Sequence, residues 1–158
     1  MFRELLRKKK EMPKEECIAL LEKETRGVLS VIGDEGYPYG MPMNHFYESE
    51  SGNIWFHCGR KGHRIDALQK ENKVSFCVFN KGTEIEGDWA LMVKSVVVFG
   101  KIEIVDDPKA VADIAAKLSR KFTSDEEYIK SEIEKFGKET LLLKLVPEHI
   151  CGKYVTES

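Results

Sequence analysis

Several features that mark large classes of protein are missing from this sequence of 158 residues. No segment approaches the roughly 20 apolar residues that a membrane-spanning helix needs. The first residues contain no apolar stretch of the length found in signal peptides. The formal net charge is only −2, so the strongly basic composition of a nucleic-acid-coating protein is absent. We therefore expect a cytoplasmic protein that binds neither a membrane nor nucleic acid.

Cysteine is scarce and widely spaced. The four cysteines form no Cys-x-x-Cys pair; they are Cys17, Cys58, Cys77 and Cys151. This pattern excludes a disulfide scaffold and the common structural zinc sites, and it is typical of a reduced protein. A metal site would have to use His57, Cys58 and His63, whose spacing matches no strong zinc motif. We therefore expect no bound metal.

The signature loops of nucleotide-binding folds are also missing. No Gly-x-Gly-x-x-Gly follows the first predicted strand, so a Rossmann dinucleotide site is not indicated. Residues 59–64 do not form a Walker loop, because they lack its four-residue spacer and its Lys-Ser/Thr ending. A heme would need an axial histidine, and the sequence singles out none of the four: His45, His57, His63 and His149.

What remains is the composition of one globular domain, residues 1–158, with 42% hydrophobic and 33% charged residues. We predict a helical N-terminal segment over residues 1–25, and barrel strands with one crossover helix over residues 26–105. Residues 106–138 form two helices, and residues 139–158 form the last strand and a tail.

Six extended runs are predicted from the β-branched and alternating apolar residues. They are residues 27–33, 37–47, 54–57, 73–79, 89–105 and 140–146. Polar hairpin loops join several of them, which predicts a mainly β (α+β) fold: an antiparallel sheet or small barrel with peripheral helices. Pro38 and Pro42 place the second strand at an edge or a bulge. Gly100 marks a bulge or bend, and Pro147 closes the last strand.

The two later helices carry start and stop signals. Asp107 is the predicted N-cap of the first, with Pro108 in its first turn. Ser124 and Glu127 form a predicted capping box for the second, which ends at Gly137. One face of this second helix is apolar, with Tyr128, Ile129, Ile133 and Phe136.

Residues 54–68 stand out as an anion site. An apolar strand end is followed by a loop with two glycines and several cations, and helical spacing resumes at Ile65. The N–H groups of a helix N-terminus are unpaired and its dipole attracts negative charge. Arg and Lys side chains add charge-assisted hydrogen bonds to a phosphate. The pattern therefore predicts that this loop binds the phosphate of a cofactor.

Three motifs, in the right order, resemble the flavin-binding split-barrel proteins related to pyridoxamine 5′-phosphate oxidase, and among them the nitroimidazole-resistance branch. Residues 36–44 are similar to the family's G-x-P-x-x-x-P-x-N strand. Residues 56–64 are similar to its F-H-G-A-x-x-G-x-K loop, with Arg64 in place of the Lys and Cys58-Gly59 in place of Gly-Ala. Residues 94–100 are similar to its R-S-V-V-V-F-G strand.

The resemblance implies a six-stranded split-barrel homodimer with one FMN in each of two interface clefts. It implies an FMN-dependent oxidoreductase, nitroimidazole-reductase-like, acting on a small-molecule substrate or electron acceptor. It argues against pyridoxamine-phosphate oxidase itself, because residues 148–155 are not the Arg/Trp-rich segment that recognises that enzyme's substrate. The alternatives are a flavin- or heme-binding protein without turnover, and a reductase that uses the deazaflavin F420 on the same barrel.

The resemblance also assigns roles to particular residues. His57 is the predicted catalytic residue, placed to move a proton near the flavin. The cofactor-binding residues comprise the phosphate loop, the strand beside the flavin ring, and two donors to the polar edge of the flavin. They are His57, Cys58, Lys61, Gly62, His63 and Arg64 in the loop, Met41, Pro42, Met43 and Asn44 in the strand, and Lys94 and Ser95 at the edge.

Overall fold

The computed structural model describes residues 1–157, which form four α-helices and eight strands. The helices are α1 (Lys14–Lys23), α2 (His63–Lys70), α3 (Pro108–Ser119) and α4 (Glu126–Phe136). The strands are β1 (Arg26–Ile32), β2 (Pro38–Asn44), β3 (Phe46–Tyr47), β4 (Ile54–Gly59), β5 (Lys73–Phe79), β6 (Thr83–Glu84), β7 (Leu91–Val105) and β8 (Thr140–Glu157). No helix in this part of the chain has the length and apolar character required to cross a membrane.

All strand pairs are antiparallel, and the strands follow the order β2-β1-β5-β7-β8-β4-β3, with β6 paired to β7. Only His45 separates β2 from β3, although these strands lie at opposite ends of that order. The sheet must therefore curve until its two ends meet. The result is the predicted antiparallel barrel, with a seam between β2 and β4 where no ladder joins the ends among the described residues.

Eight strands replace the predicted six for two physical reasons. The run at residues 37–47 changes partner at His45, so β2 pairs with β1 and β3 pairs with β4. The short β6 forms within residues that we predicted as a loop, because it pairs with the start of β7. The predicted position of Pro38 and Pro42 on an edge strand is confirmed, since β2 ends the strand order.

The prediction that the last strand stops at Pro147 is wrong. β8 continues to Glu157 because the β7–β8 register shifts where the proline lies: Phe99 pairs with His149, and Gly100 pairs with Pro147. The ladder thus skips one residue of β8, and a bulge accommodates the proline. The predicted bulge or bend at Gly100 is confirmed, since the register shifts between Phe99 and Gly100. A Cβ at Gly100 would also lie 2.2 Å from the carbonyl oxygen of Val146.

Alternate residues of the strands fill the barrel. Phe56 and Phe76 are fully buried and meet edge to face, with ring centroids 4.9 Å apart. Helix α1 covers this core with Leu20 and Leu21, and α2 covers it with Leu68. A second, smaller cluster lies outside the barrel, where α3 packs on β4 and β8; it comprises Trp55, Val111, Ile114 and Leu142.

His45, at the turn of the barrel, is fully buried. Its Nε2 donates to the carbonyl oxygen of Leu21 at 2.7 Å, and its ring meets Phe76 edge to face. Burial lowers the pKa of His45 to about 4, with a further contribution from the cation of Lys121. The Lys121 ammonium donates to the carbonyl oxygens of Glu24 and His45. These contacts fix the point where the chain passes from β2 to β3.

The helix starts agree with the sequence at α3 and differ at α4. The Asp107 side chain accepts the N–H of Ala110 at 3.2 Å, which confirms the predicted cap of α3. At α4 the cap is Asp125, which accepts the N–H of Tyr128 at 3.0 Å. The predicted capping box at Ser124 is therefore wrong by one residue: α4 begins at Glu126, and Asp125, which caps as well as serine does, is the residue just before it.

Candidate functional site

The basic loop joins the end of β4 to the start of α2, as the sequence predicted. Gly62 immediately precedes α2 with φ +131° and ψ 176°, a conformation that is essentially restricted to glycine. It brings no capping side chain, so the first N–H groups of α2 lack intrahelical partners and point away from the helix. A Cβ added at Gly59 would meet nothing within 4 Å. The loop thus presents backbone donors beside open space.

Arg64, in the first turn of α2, has no carboxylate partner within the described residues. Its Nε donates to the sulfur of Met41 at 2.9 Å. A thioether is a weak acceptor, so the remaining guanidinium donors stay available to an anion. The helix N-terminus and this cation together favour negative charge at the same place.

A cavity of about 450 Å³ opens next to Arg64, at the seam of the barrel. Its lining combines five of the predicted site residues with one that was not predicted. They are Pro42, Met43, Asn44, His57 and Arg64, joined by Arg26. The strand and the loop that the sequence assigned to the two ends of one cofactor therefore do meet in space.

His57 lies on the outer side of β4 and its side chain is exposed. The walls of the cavity shield it in part from water. Burial lowers the pKa of His57, and the nearby cation of Arg64 lowers it further. The imidazole is therefore neutral at neutral pH and can accept a proton from a bound molecule.

Met41 and Cys58 lie behind the cavity, in the core. Both side chains are buried, at 5% and 8% exposure. Burial raises the pKa of the Cys58 thiol, although Arg64 opposes this in part. The thiol is therefore protonated and packs as a small apolar group. These two residues support Arg64 from the inside.

His63 and Lys61 differ from each other in their surroundings. The ring of His63 stacks on Tyr39 at 4.4 Å, and its Nε2 accepts the N–H of Asp34 at 3.2 Å. His63 thus joins the start of α2 to the β1–β2 turn, and this nitrogen is occupied. Lys61 is exposed on the loop.

Lys94 and Ser95 do not reach the cavity within one chain. They lie on β7, which is separated from β2 by two strands, β1 and β5. The Lys94 ammonium lies 3.7 Å from the carboxylate of Glu16. Ser95 faces outward between Phe79 and Lys153, its cross-strand neighbours.

Among the described residues, no group of three or more His, Cys, Asp or Glu side chains is arranged to hold a metal ion. Of the four histidines, His57 borders the cavity. His45 is buried in the barrel, His63 is held by Tyr39, and His149 stacks on Phe2 with centroids 5.0 Å apart.

The comparison with protein families decides what kind of chain this is. A family model described as pyridoxamine 5′-phosphate oxidase matches residues 13–154, which include every residue of the cavity. The chain belongs to the pyridoxamine 5′-phosphate oxidase family. No curated protein matches it significantly. The family predicted from the three motifs is thereby confirmed.

Solved structures share the fold of this family member at low identity. A conserved hypothetical protein from Mycobacterium tuberculosis has a TM-score of 0.80 and 19% identity, over 95% of this chain and 90% of that chain. A candidate 5-nitroimidazole antibiotic resistance protein from Bacteroides thetaiotaomicron has a TM-score of 0.77 and 19% identity, over 93% and 87%. A FAD-binding protein from Mesorhizobium loti has a TM-score of 0.65 and 19% identity, over 92% of this chain and 96% of that chain. At this identity the likeness confirms the split-barrel fold.

Arg60, the other arginine of the basic loop, holds the loop in place. Both terminal nitrogens of Arg60 donate to the Asp106 carboxylate at 2.7 Å, and its Nε donates to the carbonyl oxygen of Lys138 at 2.8 Å. The Asp106 carboxylate raises the pKa of Arg60, and Arg60 lowers that of Asp106. Arg60 therefore ties the loop to the start of α3 and the end of α4.

Arg26 is the cavity residue that sequence reasoning missed. It opens β1 directly opposite Asn44, and its Nε donates to the Asn44 side-chain oxygen at 2.9 Å. A cation at the first residue of a strand is an ordinary surface feature. Only the β1–β2 register shows that this one faces an asparagine of the cofactor motif.

Proposed function

We propose that this chain is a homodimeric, FMN-dependent oxidoreductase in which Arg64 and the first turn of α2 bind the FMN phosphate. One observation carries the proposal. An arginine without a carboxylate partner stands at an uncapped helix N-terminus and opens into a cavity that also contains Asn44 and His57. The family match adds weight, since related folds include FAD-binding proteins.

The phosphate end of the site fits a dianion. Gly62 allows the chain to approach closely, the N–H groups of α2 donate, and Arg64 supplies a planar charged donor set. Lys61, exposed on the same loop, adds positive charge. His63 fixes the helix start through Asp34 and Tyr39. Its role in the proposal is therefore to position the donors.

The other end of the cavity fits a flat heteroaromatic ring. Pro42 and Met43 offer apolar surface, and the Arg26–Asn44 pair offers donors. When bound, FMN supplies hydride or single-electron transfer at its ring system. The protein orients the cofactor, and the neutral imidazole of His57 accepts or returns a proton beside it.

A second copy of the chain is proposed to cover the outer face of β1, β2, β5 and β7. This face carries an apolar row across the sheet, since Pro42 pairs with Val28, Val28 with Cys77, and Cys77 with Val97. Val28 is 36% exposed and Phe79, on the same face, is 57% exposed. The row begins at Pro42, in the wall of the cavity. A partner placed here would bring its own Ser95 towards the cofactor.

Nitroimidazole-type reduction is the reaction class that we propose, guided by the Bacteroides relative's name. A flavin carrier, a heme protein and an F420-dependent reductase are the competing functions.

An absorption spectrum of the untreated purified protein separates these functions. We expect flavin bands that bleach with a reduced nicotinamide and return when an electron acceptor is added. A Soret band, or a bound chromophore identified as F420 by mass spectrometry, would contradict FMN. Flavin bands that no donor bleaches would favour the carrier.

Sedimentation equilibrium tests the dimer. We expect the mass of two chains, and Val28→Glu on the outer face should give monomers with reduced flavin content. A monomeric wild-type protein that retains stoichiometric flavin would rule out the shared cleft.

A further inference from the structure

A second cavity lies on the far side of His57, between α3, α4 and the outer face of β4. We call it the α3–α4 groove; its walls are formed mainly by Val111, Ala115, Ser119, Tyr128, Ile133 and Phe136. We propose that this groove binds a neutral one- or two-ring aromatic molecule beside the cofactor cavity, as the substrate pocket of the enzyme. That the bound molecule is a substrate rests on the proposed function. That the groove binds such a molecule rests on the groove alone.

The walls are a face of α3, whose Val111 already packs in the Trp55 cluster, and a face of α4 that the fold leaves incompletely packed. On α3, Val111, Ala115 and Ser119 repeat at four-residue spacing and therefore share one face. On α4, only Ile129 is buried, although the same helix carries two further large aromatic side chains. Tyr128 and Phe136 are 56% and 52% exposed, at the groove. Apolar surface of this kind, with no protein group against it, is typical of a ligand pocket.

His57 connects the groove to the cofactor cavity. Its side chain lines both spaces, with Arg64 and Asn44 on one side and Val111 and Phe136 on the other. A molecule in the groove and a cofactor in the cavity would therefore contact the same imidazole. That is the arrangement a substrate pocket requires, because proton transfer needs hydrogen-bond distance.

Size limits what the groove accepts. Its volume is about 260 Å³, a little more than half that of the cofactor cavity. A molecule of one or two fused rings, with about a dozen non-hydrogen atoms, fills that volume. FMN as a whole is too large for it.

Charge limits the class further. Among the lining residues Glu132 is the one carboxylate, and Lys and Arg are absent from the lining of this groove. A carboxylate or phosphate on the ligand would therefore face an acidic group in a partly apolar pocket, where repulsion is poorly screened. The hydroxyls of Ser119 and Tyr128 offer donors to a neutral oxygen or nitrogen. The groove thus selects a neutral ring compound.

A pair of redox-inert probes tests the inference by calorimetry: naphthalene-2-carboxamide, which is neutral, and 2-naphthoate, its anionic counterpart. The FMN-loaded protein should bind the amide at least tenfold more tightly than the carboxylate. Glu132→Gln should reduce that preference severalfold. Equal binding of the two probes, or no binding of the amide, would overturn the proposal.

Two variants locate the site. Ala115→Phe fills the groove and should weaken amide binding by tenfold or more, while FMN affinity stays within threefold. Ala116→Phe, the same change one residue along α3 and outside the lining, is the control and should leave amide binding unchanged. If Ala115→Phe fails to fold, Tyr128→Ala at the exposed rim should weaken the amide severalfold. Unchanged amide binding in a folded groove variant would place the site elsewhere.

Competition separates this inference from the proposed function. The amide should bind equally well to protein with and without FMN, within about threefold. Displacement of the amide by FMN would show that the groove belongs to the cofactor site, and the inference would fall. A protein that binds the amide in the groove but never binds FMN would leave the groove standing and refute the flavin function.

Discussion

The two ends of the basic loop carry the same charge and have opposite roles. Arg60 and Arg64 are four residues apart, on either side of Gly62. The guanidinium of Arg60 donates hydrogen bonds to the Asp106 carboxylate and to the carbonyl oxygen of Lys138. Arg64 donates its Nε to the sulfur of Met41 and has no carboxylate partner within the described residues. One arginine closes the loop against the helices, and the other remains open to a ligand.

A cation in the sequence therefore indicates a ligand-binding residue only when the fold leaves it without a partner. Asp106 follows β7, 46 residues after Arg60 in the chain, and only the strand order brings it to the loop. No comparable carboxylate reaches Arg64 within the described residues. Four experiments test this difference between the two arginines.

Arg64→Glu should weaken FMN binding by about 100-fold or more while the protein stays folded. Lost charge-assisted hydrogen bonds account for ~1.5–3 kcal/mol, and repulsion of the phosphate adds to this. Fluorescence titration with FMN measures the affinity. Lys70→Glu, the same charge change at the other end of α2, is the control and should change the affinity little. Equal losses in both variants would show that net charge, and not position, governs binding.

Gly62→Ala should reduce the free energy of unfolding by ~1–3 kcal/mol and weaken FMN binding as well, because its backbone conformation is essentially restricted to glycine. Gly59→Ala is a matched control three residues earlier, where an added Cβ meets open space. Urea unfolding followed by circular dichroism measures the free energy of unfolding of both variants, and fluorescence titration measures their FMN affinity. An equal loss of unfolding free energy in the two variants would show that the backbone conformation of Gly62 does not shape the loop.

Arg60→Met should lower the melting temperature slightly and leave FMN affinity within about threefold, since an exposed ion pair stabilises a protein only modestly. Asp106→Asn should have the same effect, and the double variant should add little to either. Calorimetric melting and FMN titration give the two readouts. A loss of FMN affinity as large as that of Arg64→Glu would contradict the different roles assigned to Arg60 and Arg64.

The pKa of His57 is sensitive to the charge of Arg64. Because the folded-state pKa lies below that of the unfolded chain, the neutral ring is retained above about pH 6.5 and protonation at lower pH favours unfolding. Arg64→Gln should move the pKa of His57 upwards, and Arg60→Gln should leave it in place. Proton NMR titration of the imidazole measures this. An upward shift in the Arg60 variant alone would contradict the assigned surroundings of His57.

Much of the fold follows from local sequence pattern. The alternation of β5, the prolines of β2 and the glycine of β7 each have a local physical cause, and each was placed correctly. The division of residues 37–47 into two strands at His45 was missed, because it depends on which strand the next two residues pair with. The continuation of β8 past Pro147 was missed for the same reason, since a bulge opposite Gly100 is a property of two strands together.

The candidate site divides in the same way. Pro42, Asn44, His57 and Arg64 belong to motifs, and the cavity unites them. Arg26 belongs to no motif and enters through the register of β1 with β2. The roles predicted for Lys94 and Ser95 remain predictions, because β7 lies two strands away from the cavity.

A thermodynamic cycle of FMN and riboflavin against wild type and Arg64→Met tests the phosphate assignment most directly, because the two ligands differ only by the phosphate. The wild-type protein should bind FMN about 100-fold or more tightly than riboflavin, and Arg64→Met should reduce that ratio at least tenfold while riboflavin affinity changes little. The same FMN-to-riboflavin ratio in both proteins would show that Arg64 does not bind the phosphate.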